Sequence, residues 1–565
     1  MNKGGSQHRT AMEKRVSFDI LFPAVRRLID RLMVLALPGS VCLFVLYPMV
    51  CILLRSLSSG AGGLTLDSYV QVWSQYQTSL RNSVFTALCT SALSTLFSLS
   101  SALLVSTGRG WRRGLGMGLL LITMVSPPFV SSLAYIQLYG RRGWITYRLL
   151  GLSWNPYNCW GVIWMQSLSF VPVNALFLLG LLGQMDRDSL LAAQDLGANP
   201  RHILLDVVLP LLKPGVLVCA LLSFVRSLAD FGTPVIIGGR FSTIASDIYL
   251  QLTGFSNLEK ASAMNMVLLL PSIAAFFLYR WLMGQVGALS GERSRRQQFV
   301  LPLRRCGGPG VFILLGGLLF FLLIGVQYAC ILSSGFLKRT RNGTVLTLEY
   351  VEKLWRFSLD TVVRSVVYAL IVALAGTLFA MLFAYLVHRR GVKFGGFFDC
   401  LATLPYMLPG TCFGIGYILA FNRPPLKLTG TAVIVLANML FKQLPTTTKI
   451  CSATLAQIPL AQERAARDLG GDRLSVLRYV ILPGLRPAFL SCFAYNFSSS
   501  MTTAGAVLFL IDPGHQLAVF KLFDAVYTGE YALASLMASL IVVIVLAVEG
   551  GVYWAVGRKE NGDVS

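Results

Sequence analysis

Charge is what this chain has least of: only 13% of its 565 residues are Asp, Glu, Lys or Arg. An ordinary soluble domain carries roughly 25%. Acids are scarcer still, 25 against 48 Lys and Arg, which leaves a net charge of +23. A soluble protein of this length divides into several domains, each needing a charged surface, and there are too few charges to cover them. Nucleic-acid binding calls for basic patches on a water-soluble body, which a mean hydropathy of +0.66 excludes. The eleven cysteines include no C-x-x-C pair and fall almost entirely inside apolar runs, where Cys acts as a small hydrophobe. Neither a zinc site nor a disulfide framework is indicated. The four histidines show no metal-ligand spacing, no G-x-S-x-G elbow occurs, and no Gly-Lys dipeptide exists to build a phosphate-binding loop. The sequence predicts no catalytic residue, no metal site and no cofactor held by this chain.

What is abundant is apolar sequence, 55% of the chain. About 20 mostly apolar residues span a bilayer as a helix. Twelve candidate spans emerge: 32–54, 82–107, 114–140, 149–185, 214–239, 261–279, 306–337, 365–387, 400–422, 428–448, 487–511 and 531–548. They predict an all-α membrane protein, six spans on each side of a basic connector at 291–305. The polar segment 1–31 is followed by no small-residue cleavage site, so the first span is expected to remain as an anchor. With both termini inside, the inner segments hold 28 basic residues and the outer loops 15, the bias expected of cytoplasmic loops.

An internal repeat at an offset of 273 residues is the sharpest signal. Residues 190–198 read Leu-Leu-Ala-Ala-Gln-Asp-Leu-Gly-Ala and 463–471 read Glu-Arg-Ala-Ala-Arg-Asp-Leu-Gly-Gly. Each runs on to a Leu-Pro, at Pro210 and Pro483, and eleven of the 25 positions in 190–214 are identical without a gap. Helix formers followed by glycine mark a helix C-terminus, and a second short helix should end at each proline. Paired alanines leave a shallow surface that another protein can approach. Both copies lie on the predicted inner face.

This pattern resembles the EAA loop in permease subunits of binding-protein-dependent ABC importers. In that family the loop is a coupling helix that docks on an ATPase subunit. The resemblance implies docking roles for Ala192, Ala193, Asp195, Gly197 and Pro210, and for Ala465, Ala466, Asp468, Gly470 and Pro483. The leading glutamate of the motif is replaced by Leu191 and Arg464, with Glu463 one position earlier in the second copy and Leu190 in the first. That departure implies that the two halves grip their ATPase differently. The resemblance covers nearly the whole chain: permease domains at 32–290 and 306–565, with coupling loops 186–213 and 459–486. It implies an inner-membrane location, two ATPase copies that use ATP, an extracytoplasmic solute-binding protein, surrounding lipid and no nucleic acid. Ser227-Leu-Ala-Asp-Phe-Gly-Thr-Pro and Leu404-Pro-Tyr-Met-Leu-Pro-Gly-Thr are similar to the fused two-permease type of the ferric iron transporters. Related fused permeases serve 2-aminoethylphosphonate, sugar phosphates and thiamine.

Charge inside a span marks a path or a partner. Arg226 and Asp230, four positions apart, are expected on one helix face, lining the translocation path or forming a structural ion pair. The matching stretch, Asn496-Phe-Ser-Ser-Ser-Met-Thr-Thr, is polar but uncharged and offers Asn496 and Ser500 to the same path. An ion-coupled secondary transporter, which also has two six-helix halves, is the rival from another class.

Overall fold

In a computed structural model the described residues are 23–562, except 59–62, 153–154, 186, 256, 290–302, 341–342, 407 and 512. Most of the 1–31 segment and of the 291–305 connector therefore lies outside the described residues.

The twelve apolar segments each become helix, but not all as simple rods. Eight helices are long and apolar enough to cross a membrane, and eleven if each of three bent pairs counts once. Trp111–Val125 turns by 107° into the helix that starts at Phe129, and Gly395–Tyr406 turns by 113° into Gly410–Phe421. Prolines at 127, 128 and 409 lie at the two bends, where a missing N–H and the ring clash end the incoming helix. The remaining candidate, 428–448, falls mostly on Ala432–Gln457, whose Lys442, Gln443 and threonines lower its apolarity.

Each half is built around one buried helix, Asp67–Thr107 in the first and Leu359–His388 in the second. The first packs against Cys159–Leu182 and Leu209–Ala229, the second against Ala432–Gln457 and Arg486–Thr502. Small residues allow this close approach. Ser91 and Thr90 reach the neighbouring helices, donating to Ala220 O at 2.6 Å and Gln166 Oε1 at 3.2 Å.

The halves are laced together by exchanging their first helices. Tyr47–Ser56 packs on Gly410–Phe421 of the second half, where a Cβ on Gly416 would meet Pro48 and Ile52 at about 3.0 Å. Gly307–Ser334 packs on Asp67–Thr107, where Cβ atoms at Gly316 and Gly317 would stand 2.9 Å from Ser100. The connection between Gly307–Ser334 and Leu359–His388 carries structure of its own. Strands Leu337–Thr340 and Gly343–Leu346 form a hairpin, with Leu337 opposite Leu346, followed by the amphipathic helix Glu349–Phe357.

Candidate coupling site and inter-half junction

The two copies of the repeated loop fold alike, bond for bond. The first helix runs Arg187–Asp195 and the second Leu460–Asp468. Gly197 and Gly470 follow with φ of +82° and +87°, a conformation that side chains disfavour. Gly197 N–H donates to Gln194 O at 2.9 Å and Ala198 N–H to Ala193 O at 3.0 Å. In the second copy Gly470 N–H donates to Arg467 O at 2.8 Å and Gly471 N–H to Ala466 O at 2.9 Å. These are the paired closing bonds of a Schellman cap. The two alanines of each copy therefore differ in duty. Ala193 and Ala466 are half-buried and supply the capping carbonyl, while Ala192 and Ala465 are exposed, as are Asp195 and Asp468.

The descent from loop to membrane is duplicated too. Ile203–Val208 and Leu477–Ile481 are single wide turns, closed by bonds from Leu209 N–H to Leu204 O and from Leu482 N–H to Leu477 O. Each wide turn sits directly before its proline, Pro210 or Pro483, where a regular turn would lose a donor and clash. Beyond it the halves part. The first continues into Leu209–Ala229, whereas the second bends by 69° into Arg486–Thr502.

Two residues absent from the expected site stand out by exposure. Leu196 is 88% exposed and its repeat mate Leu469 90%, each at the tip of its loop between the aspartate and the capping glycine. Their signal was in the repeat itself, since both belong to its identical positions. A large apolar side chain held in water twice, at equivalent places, marks a contact surface.

The loops are fastened by different means. In the first, Leu190 is 2% exposed within an apolar cluster that includes Leu204, Val208 and Leu212. In the second, the equivalent Glu463 is buried and meets Arg389 Nη1 at 3.3 Å. The Arg389 guanidinium also donates to the carbonyls of Leu455 and Ile458, at the end of the preceding helix. Its neighbour Arg390 makes two bonds of 2.6 Å to Asp30, on the exchanged first helix.

The expected Arg226–Asp230 face does not form. The helix ends at Ala229, and Asp230 is already extended, with ψ of 109°. Gly232 and Pro234 just beyond explain the early stop. Asp230 sits instead in a neutral network. Gln166 Nε2 donates to its Oδ2 at 2.9 Å and Thr233 N–H to its Oδ1 at 3.3 Å, while Ser227 donates to Gln166 Oε1 at 2.6 Å. Arg226 lies apart, beside a cavity of about 70 Å³ with Tyr279 and Tyr406. Asn496 and Ser500 are buried between helices: Asn496 donates to Thr377 at 3.1 Å, and Gln443 and Ser500 are joined at 2.9 Å.

Where the halves meet in the interior, aromatic rings close the space. Phe231 stacks on Tyr249 at 5.3 Å, Phe509 lies 6.1 Å from Phe231, and Phe523 sits 6.0 Å from Tyr249 and 4.8 Å from Phe129. Tyr249 and Phe523 come from matching ten-residue helices, Ile244–Thr253 and Ala518–Tyr527. Each helix is pinned by a serine that accepts its first N–H, Ser83 at 2.8 Å and Ser365 at 2.7 Å. Among the described residues no group of three or more His, Cys, Asp or Glu is placed to hold a metal ion.

The model of the family described as binding-protein-dependent transport system inner membrane component matches the chain twice, over residues 94–286 and 376–558. The chain belongs to this family. It is a multi-span permease of a binding-protein-dependent ABC transport system, with two permease domains in one polypeptide. The permease is 29% identical over 532 residues to the ferric transport system permease protein FbpB of Actinobacillus pleuropneumoniae, covering 91% of this chain and 76% of that protein. It is 32% identical over 450 residues to the putative ferric transport system permease protein FbpB 1 of Haemophilus influenzae, covering 76% and 70%. A putative 2-aminoethylphosphonate transport system permease protein, PhnV of Salmonella typhimurium, is 29% identical over 220 residues, 39% of this chain and 80% of its own. Family membership sets aside the ion-coupled secondary transporter.

Proposed function

We propose that this permease carries ferric iron inward across the inner membrane, released to it by an extracytoplasmic binding protein and driven by ATP hydrolysis on separate subunits. The carrying observation is the duplicated loop: two identically capped helices, each presenting an exposed leucine, match two ATPase copies. Ala192, Asp195, Gly197 and Leu196 would meet one copy, and Ala465, Asp468, Gly470 and Leu469 the other. Ala193, Ala466, Pro210 and Pro483 would shape the loops behind them. Both termini and both loops lie on the cytoplasmic side in this reading, which agrees with the basic-residue bias.

ATP-bound partners would draw the two loops together and favour one of two arrangements of the halves. The rings of Phe231, Tyr249, Phe509 and Phe523 would separate as the path opens outward. Asp230, next to Phe231 and held by neutral donors, is the candidate for contact with a passing cation. Arg226, Asn496 and Ser500 would act behind it.

Iron is the substrate favoured by relatives that span most of the chain. A phosphonate substrate is the second reading, supported by the relative that matches 39% of it. The test is uptake of labelled ferric iron into proteoliposomes holding the permease, its ATPase and its binding protein. ATP-dependent accumulation is expected; uptake of 2-aminoethylphosphonate and not of iron would overturn the iron assignment.

A further inference from the structure

At the end of the spans opposite the coupling loops lies a cavity of about 600 Å³, formed where the two halves adjoin. That volume suits a small ligand or a lipid headgroup. Three segments supply its charged side chains. The helix Phe129–Tyr139 and the loop after it supply Gln137, Arg141 and Arg142; the outer helix Glu349–Phe357 supplies Lys353; and residues 529–533 supply Glu530 and Tyr531.

Its floor is fixed. Gln137 Nε2 donates to Ser535 Oγ at 2.8 Å and to Tyr531 O at 3.4 Å, and Cys330 Sγ donates to Gln137 Oε1 at 3.3 Å. Tyr157 lines the same space.

The charge is unbalanced. Three basic side chains line the cavity against one acid. That acid, Glu530, is already matched by Lys353 at 2.7 Å. Arg141 and Arg142 are exposed, and among the described residues neither forms an ion pair. An open space lined by two guanidiniums without an acid partner, tyrosine hydroxyls and a fixed amide is suited to an anion with several acceptor oxygens, which arginine holds bidentately.

Its depth narrows the source. The two segments that supply the cations each carry an exposed tryptophan, Trp144 next to Arg141 and Arg142, and Trp355 two residues from Lys353. Exposed tryptophans at the ends of spans sit at headgroup level. Leu348, which caps this short helix, and Phe357, which ends it, are both exposed, as on a segment lying in the interface.

We propose that this cavity binds a phosphate-bearing anion through Arg141 and Arg142, at the level of phospholipid headgroups. It is a site apart from the coupling loops and the aromatic junction, and it does not depend on which substrate the permease carries. Arg141 and Arg142 would grip the phosphate oxygens, and Lys353, held by Glu530, would set the rim.

The test is native mass spectrometry of the purified full chain, titrated with phosphatidylglycerol or phosphatidylcholine. Wild type is expected to retain phosphatidylglycerol on the order of thirtyfold better than R141Q/R142Q, the effect of two arginines at about 1 kcal/mol each. The variant R141K/R142K keeps the charge and is expected to keep most of the binding. Inorganic phosphate is then added: lipid that stays bound assigns the site to a headgroup, and lipid that is displaced assigns it to free phosphate-class anions. Equal retention by wild type and R141Q/R142Q, with no phosphate binding by wild type, would overturn the proposal. Both arginines are exposed, so an unchanged melting temperature separates loss of binding from loss of fold.

Discussion

The two copies of the repeated loop share one backbone and differ in what holds it. Loop one seats a leucine, Leu190, in an apolar cluster; loop two seats a carboxylate, Glu463, against Arg389. An apolar anchor is non-directional and can slide within its pocket. A buried ion pair with added carbonyl bonds is directional and costly to break, though it adds little net stability compared with an apolar pair. Arg389 and Arg390 stand side by side, one on the second coupling loop and the other on Asp30 of the exchanged first helix. Movement of loop two is therefore tied to the contact between halves. Loop one reaches the other half by apolar contact instead: its cluster includes Cys306, Ile313 and Phe320 of the second half's exchanged segment, and Cys306 Sγ donates to Pro200 O at 3.4 Å.

The largest effect should come from breaking that difference on one side. Arg389→Ala leaves buried Glu463 with only the long, exposed contact to Arg467 at 4.0 Å and frees two carbonyls, a loss of about 3 kcal/mol. Thermal unfolding of the purified permease should drop sharply, and ATPase activity should uncouple from transport. Making loop two like loop one tests the comparison more keenly. Arg389→Met with Glu463→Leu removes both charges and should return most of that stability, because an apolar pair replaces a buried ionic one at little cost. If the double variant is as unstable as Arg389→Ala, the ion pair is not what separates the loops.

Next in size is Leu190→Ala, expected to cost about 2–4 kcal/mol through the cavity it leaves, with no response to salt. Exposed Leu196 and Leu469 should behave in the opposite way. Leu196→Ala or Leu469→Ala should leave the melting temperature unchanged but weaken ATPase binding by roughly 2 kcal/mol, about thirtyfold, measured by titrating purified ATPase. The smallest effect belongs to the capping glycines. A Cβ at Gly197 or Gly470 meets nothing within 4 Å, so alanine there costs only backbone strain, about 1–2 kcal/mol. A bulkier residue adds no clash within the chain. Any further loss of ATPase binding by Gly470→Leu over Gly470→Ala measures the docked partner directly.

Much of this architecture is legible in the sequence because a bilayer permits little else. Each long apolar run becomes helix, and the loop repeat carries its cap in plain view as Asp-Leu-Gly. What escapes sequence reading depends on where helices stop and on what distant residues meet. Arg226 and Asp230 have the spacing of a shared face, but the helix ends between them, and Gly232 with Pro234 was the available warning. Prolines 127, 128 and 409 signal interruption, but not that each bend exceeds 100°. The motif's displaced glutamate is visible at 463, yet its partner Arg389 lies on another helix and is found only by folding the chain. The cavity at Arg141 and Arg142 is harder still, since its arginines and lysine belong to different halves.

We propose that this one polypeptide docks two ATPase subunits, one on each copy of the repeated loop. The most direct measurement is the number of ATPase subunits bound per permease, read from the native mass of the purified complex. Two copies are predicted for the wild type, one for Leu196→Asp or Leu469→Asp alone, and none when both are changed. Two copies retained by the double variant, or a single copy on the wild type, would contradict the account.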